Sequence, residues 1–130
     1  MKRSFDLFDD RLKRYKNPIE VGVGERKVSR DGSVLYSKGF DGCTALAIYR
    51  DAISGLYHVW GFPDDLGEFL SCMDDGSGPF RAKLAGQPHA VKKVRGKLMN
   101  LGVRFRGRRK TDNYFDVIFE PDSKKLLLFE

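Results

Sequence analysis

A chain of 130 residues with 41% apolar content is long enough for one domain around a single core, and too apolar for intrinsic disorder. No apolar run approaches the ~20 residues that span a bilayer, and Met1-Lys2-Arg3 is not followed by an apolar signal core, so a cytoplasmic protein that makes no membrane contact is expected. The net charge of +6 lies mostly in the second half, where residues 66–130 hold 13 Lys/Arg against 8 Asp/Glu and residues 1–65 hold 11 against 10.

In chain order, Phe5, Phe8 and Leu12 stand at helical spacing. They predict a short amphipathic helix over residues 5–16, stopped by Asn17-Pro18, or else a loosely docked arm. Residues 1–18 are therefore read as an N-terminal helix or arm and 19–130 as one domain. Residues 19–24 alternate as a strand, 27–29 continue the sheet, Arg30-Asp31-Gly32 marks a turn, and 33–36 form a short strand. Residues 43–49 read as a buried strand that turns near 51–54 and returns through 55–63. Asp64-Asp65 suits the cap of a helix over 66–73, followed by a loop over 74–79 and a strand over 80–84. The clearest helix is 88–101, with Val91, Val94, Leu98 and Leu101 on one stripe and Gly102 just past its end. Strands over 114–120 and 125–129, joined at Pro121-Asp122-Ser123, finish the chain.

Chemistry is concentrated where Ser37-Lys38-Gly39-Phe40-Asp41-Gly42 delivers Cys43, with His58 on the next strand. The thiolate is the reactive form of cysteine, and an adjacent imidazole is a standard way to obtain it near neutral pH. Gly39 and Gly42 give the backbone the freedom that an oxyanion site made of main-chain N–H groups near Gly42 and Cys43 needs. The Ser37 hydroxyl is placed to orient an imidazole. Against these, a cysteine at a strand start is more often a small buried hydrophobe. A plain ladder about a turn at 51–54 also pairs His58 with about Ala47, leaving Cys43 roughly 13 Å away along the strand, so a bulge, twist or bend is required. The Asp41 carboxylate is unfavourable to a thiolate.

Other residues have plainer readings. Cys72 and Trp60 read as core, with a cleft wall the second reading for Trp60, and His89 as a capping or surface residue. Two free thiols suit a chain with no export signal, and the lack of Cys/His zinc spacing leaves no metal expected. Arg104, Arg106, Arg108, Arg109 and Lys110 place five positive charges around Phe105. This strip reads first as a solvated basic loop. It also suits phosphate contacts with a stacking aromatic, or the steering of an acidic protein substrate.

The residues from Val21-Gly-Val-Gly24 through Ser37-Lys-Gly-Phe-Asp-Gly-Cys43-Thr-Ala-Leu-Ala-Ile-Tyr49 to Gly55-Leu-Tyr-His58-Val-Trp-Gly-Phe-Pro63 resemble CheD, the chemoreceptor glutamine deamidase. So do Phe80-Arg-Ala-Lys-Leu-Ala-Gly86, the helix before Gly102, and Phe119-Glu-Pro-Asp-Ser-Lys-Lys-Leu-Leu127. The likeness runs in CheD order over about 19–129. Gly42-Cys43-Thr44 is also similar to the cysteine motif of cytotoxic-necrotizing-factor-type toxins and a Burkholderia lethal factor, which share the catalytic fold. The resemblance implies an α+β fold, a CheD-like layered α/β sandwich with a mostly antiparallel sheet and one long helix in the C-terminal half. It implies Cys43 as nucleophile, His58 as the histidine, Ser37 in place of the family threonine, no cofactor, and a protein substrate with an exposed glutamine. Asp41-Gly42 stands where CheD usually has Gly-Ser, and the cysteine-to-histidine turn is shorter. The stretch between Pro63 and Phe80 is too short for the long CheD helix that helps contact receptors and the usual partner, CheC. Two alternatives accompany this reading. One is a toxin or effector deamidase of the same fold, exported without a signal peptide. The other is a non-catalytic member that binds nucleic acid or protein through residues 104–110.

Overall fold

The computed structural model describes residues 4–61, 63–73 and 78–130. Its elements run α1 (Ser4–Leu12), β1 (Ile19–Glu20), β2 (Arg26–Ser29), β3 (Leu35–Phe40), β4 (Thr44–Arg50), β5 (Ile53–Val59), α2 (Leu66–Met73), β6 (Arg81–Gly86), α3 (Pro88–Asn100), β7 (Arg104–Lys110), β8 (Phe115–Glu120) and β9 (Lys125–Phe129). β4 and β5 are buried at every residue, so both of their faces must be covered. One face is covered by a second sheet and the other by helices.

The strands form a five-stranded sheet, β2-β5-β4-β6-β7, and a four-stranded sheet, β1-β3-β8-β9. Only the β1–β3 and β6–β7 pairings are parallel among the described residues. The sheets pack face to face through Leu35, Phe40, Ala45, Leu56, Val117 and Phe119. On the outer face of the larger sheet, Leu46, Ile48 and Leu84 meet Phe69 of α2 and Val91, Val94 and Leu98 of α3. On the outer face of the smaller sheet, Phe8 of α1 meets Val34 and Ile118. The fold is thus an α+β layered sandwich, helix–sheet–sheet–helix, with a core between each pair of adjacent layers, the one under α1 being the smallest. Among the described residues no helix is long and apolar enough to cross a membrane.

The helices follow their local signals. α2 buries Leu66, Phe69 and Met73, a stripe at spacings of three and four. α3 starts on Pro88 and closes in a Schellman arrangement, with Gly102 at φ 78 and Val103 N–H donating to Leu98 O at 3.2 Å. α1 ends at Leu12, short of the expected 16. Asn17 takes φ 52 before Pro18, a conformation no helix can run into. Phe8 is only 1% exposed, and burying it contributes roughly 2–3 kcal/mol, so the N-terminal helix is docked and is not a loose arm.

Four expectations need correction. The strand expected over 19–24 shrinks to β1, because Glu25 N–H donates to Gly22 O and folds 22–25 into a turn. β3 runs on to Phe40, four residues past its expected end. Residues 104–110 are no loop but β7, an edge strand bonded to β6. Cys72 is exposed on α2, opposite its buried stripe. Most of the loop expected over 74–79 lies outside the described residues.

Candidate active site

The β4–β5 hairpin turns on two residues, Asp51 and Ala52, with Arg50 opposite Ile53 and Asp51 at φ 49. This centre lies one residue earlier than the sequence suggested, and each cross-strand pair accordingly shifts by two. His58 faces Ala45, not Ala47, and the last pair is Thr44 with Val59. Cys43, the residue before β4, is then one diagonal step from His58 and packs with Ala45 in the core between the sheets. Diagonal neighbours stand about 7–8 Å apart at Cα and closer at Cβ, against the 13 Å that the plain hairpin implied. The undistorted register of this hairpin is enough to make Cys43 and His58 diagonal neighbours.

The distortion lies in the other sheet. Ser37 and Phe40 are three residues apart and would point to opposite faces of a regular strand. β3 pairs Ser37 with Val117 but Phe40 with Phe115, so one extra residue is accommodated between them. Gly39, at φ 78, supplies the left-handed conformation of the bulge, and its N–H donates to Asp116 Oδ1 at 2.9 Å. Both Ser37 and Phe40 therefore turn inward onto the same imidazole. The Phe40 ring stacks on His58 at 3.7 Å between centroids and 10° between planes, and Phe115 stacks behind Phe40 at 4.8 Å.

Ser37 Oγ lies 2.8 Å from His58 Nδ1 and 2.5 Å from the carbonyl oxygen of Val21. A carbonyl only accepts, so the single hydroxyl proton of Ser37 goes to Val21 O. Ser37 Oγ must then accept from the ring, which puts the imidazole proton on Nδ1. Nε2 is left with its lone pair, buried and without a hydrogen-bond partner among the described residues. An unpartnered buried acceptor costs about 1–3 kcal/mol. No hydrogen bond joins it to the Cys43 sulfur.

Burial sets the resting charge of both groups. His58 is fully buried, and desolvation lowers its pKa to about 4. Cys43 is 6% exposed, and burial pushes its thiol pKa up. A backbone hydrogen bond from Asp41 opposes that rise, and the Asp41 charge adds to it. Both groups thus rest uncharged, a neutral thiol and a neutral imidazole, and do not form a preformed ion pair. Gly42, at φ 81, turns the chain from β3 into β4. Gly86 matters in a way that sequence reading missed, because a Cβ there would stand 2.9 Å from the Cys43 carbonyl oxygen. Phe40 was also missed, although an aromatic two residues before a Gly-Cys turn was its available signal.

No family model and no curated protein matches this chain.

The remaining candidates lie elsewhere. Arg104, Arg106, Arg108, Arg109 and Lys110 are exposed along β7, which reaches the Cys43 end of the sandwich only at Lys110, opposite Gly86. Arg109 pairs with Glu130 at 3.2 Å. His89 is exposed in the first turn of α3. Trp60, expected in the core, is 75% exposed just past the end of β5. Among the described residues no three His, Cys, Asp or Glu side chains gather where they would share a metal ion.

Proposed function

We propose that this chain is a cysteine-dependent protein-glutamine deamidase of the CheD-like kind. One observation carries the reading. A buried histidine, fixed by Ser37 with its proton on Nδ1, presents an unpartnered Nε2 on the inter-sheet face that also holds Cys43. A merely structural histidine is expected to satisfy both nitrogens.

In the proposed reaction Nε2 of His58 takes the Cys43 thiol proton as sulfur attacks the carboxamide carbon of a glutamine side chain. Backbone N–H groups near Gly42 and Cys43 receive the oxyanion, an effect worth about 3–4 kcal/mol per donor in comparable sites. His58 returns the proton to the departing nitrogen, which leaves as ammonia and gives a thioester on Cys43. Water then attacks the thioester with His58 again accepting a proton. Glutamate departs as sulfur recovers its hydrogen. Ser37 holds the ring tautomer throughout and is a positioning residue.

The test is ammonia release from a panel of glutamine-containing peptides by the full chain and its Cys43→Ser and His58→Ala variants. Release by the parent chain, abolished in the first variant and reduced 10²- to 10⁴-fold in the second, supports the reading. No release from any peptide, with Cys43 alkylation by iodoacetamide indifferent to His58 in a Cys72→Ala background, sinks it. The exposed basic edge strand favours a second, non-catalytic reading, in which β7 binds nucleic acid. That reading requires salt-sensitive binding unchanged by Cys43→Ser.

A further inference from the structure

Large exposed apolar side chains are scattered singly on most proteins, so their placement, not their existence, is informative. Three of them lie where strands that build the site end. Val23 is 61% exposed, two residues after Val21, whose carbonyl accepts the Ser37 hydroxyl. Its neighbour Gly24 donates its N–H to the His58 carbonyl at 3.0 Å. Trp60 is 75% exposed, two residues after His58 and in register with Cys43 by one step beyond the Thr44–Val59 pair. Tyr114 is 58% exposed, directly before Phe115, and its hydroxyl lies 3.7 Å from where a Gly39 Cβ would stand.

We propose that Val23, Trp60 and Tyr114 form an apolar docking rim around Cys43, selecting protein segments in which a large apolar residue flanks the glutamine. This deepens the deamidase reading and rests on it. The exposed charges at the same end, Lys38, Arg109 and Lys110 against Glu25, Asp41, Asp112 and Glu130, nearly balance and give little net electrostatic preference. Apolar contact is what the rim offers, and Trp and Tyr are the side chains that most often dominate such contacts. A glutamine amide is small and uncharged, so recognition must come from its neighbours in the substrate chain.

Trp60 is the only tryptophan of the chain and therefore reports on its own surroundings. The Cys43→Ala chain, which leaves the glutamine amide of a bound peptide intact, is titrated with acetylated Gly-Leu-Gln-Leu-Gly amide and with the matching Gly-Ser-Gln-Ser-Gly peptide. The leucine peptide should blue-shift Trp60 emission saturably, at a concentration at least tenfold below the serine peptide. Tyr114→Ala should raise that concentration about tenfold, and Leu7→Ala, on distant α1, should not move it. In the parent chain ammonia release should show the same tenfold preference in kcat/KM, and Trp60→Ala should reduce the ratio to near one. The absence of any shift, or a preference that survives Trp60→Ala, overturns the rim. A saturable shift without ammonia release upholds the rim and sinks deamidation. Release dependent on Cys43 but blind to the flanking residues does the reverse.

Discussion

The single proton on the Ser37 hydroxyl decides which nitrogen of His58 can act as a base. Ser37→Ala removes the acceptor for Nδ1–H and frees the ring to carry its proton on either nitrogen. Deamidation should then fall about 10- to 100-fold in kcat with KM little changed, and Ser37→Thr, which restores the hydroxyl, should recover most of it. The pH dependence follows from the same ring. A base must be neutral to act, so kcat/KM should hold through the mildly acidic range and fall as pH drops through about 4. Stability carries a related signature. Between the ordinary histidine value of 6.5 and the folded value of about 4, the unfolded chain binds a proton that the folded chain refuses. Stability therefore rises with pH across that window, and on the order of 3 kcal/mol is lost on acidifying through it. Urea midpoints at pH 7 and pH 5 should separate more for the parent chain than for His58→Gln.

Among the elements, the helices were the most legible from sequence. The stripes Leu66-Phe69-Met73 and Val91-Val94-Leu98 are long enough to show the helical period, and Gly102 closes α3 where a C′ glycine belongs. The partnership of Ser37 with His58, which a hydrogen bond joins, was legible too, through the residues around them. Their geometry was not. Ile53 and Ser54 resemble turn continuation as much as strand start, and a one-residue error in the turn centre moved His58 two positions along β4. Gly39 gave no clue whether it interrupts a strand or bulges it, and only pairing with β8 decides that. β7 was hidden because its charges alternate with nothing apolar except Phe105, whose burial depends on α3. Trp60 shares the parity of His58, but the partner sheet does not extend over it, so parity alone misled. Gly86 tests the element scale directly. Gly102→Ala, also at positive φ, should cost about 1 kcal/mol and leave deamidation intact. Gly86→Ala should depress kcat/KM beyond any change in stability, because its Cβ must displace the carbonyl of Cys43.

At the scale of the whole molecule, the site is assembled from two sheets: Ser37 and Phe40 come from the smaller, Cys43 and His58 from the larger. The proposed deamidation would thus require the sheets to remain docked, not merely formed. Phe119→Ala, which hollows the core between them, should cost about 3–5 kcal/mol. In a urea titration of that variant, activity should disappear before the far-ultraviolet circular dichroism does. The burial of Cys43 has one further consequence, for oxidative damage. Peroxide attacks thiolates that solvent can reach, and Cys43 is a largely buried thiol with a raised pKa, whereas Cys72 stands exposed on α2. In air the chain should form covalent dimers through Cys72, removed by Cys72→Ser, while Cys43 stays reduced. The burial that shields this thiol from oxidants is the same burial that raises its pKa.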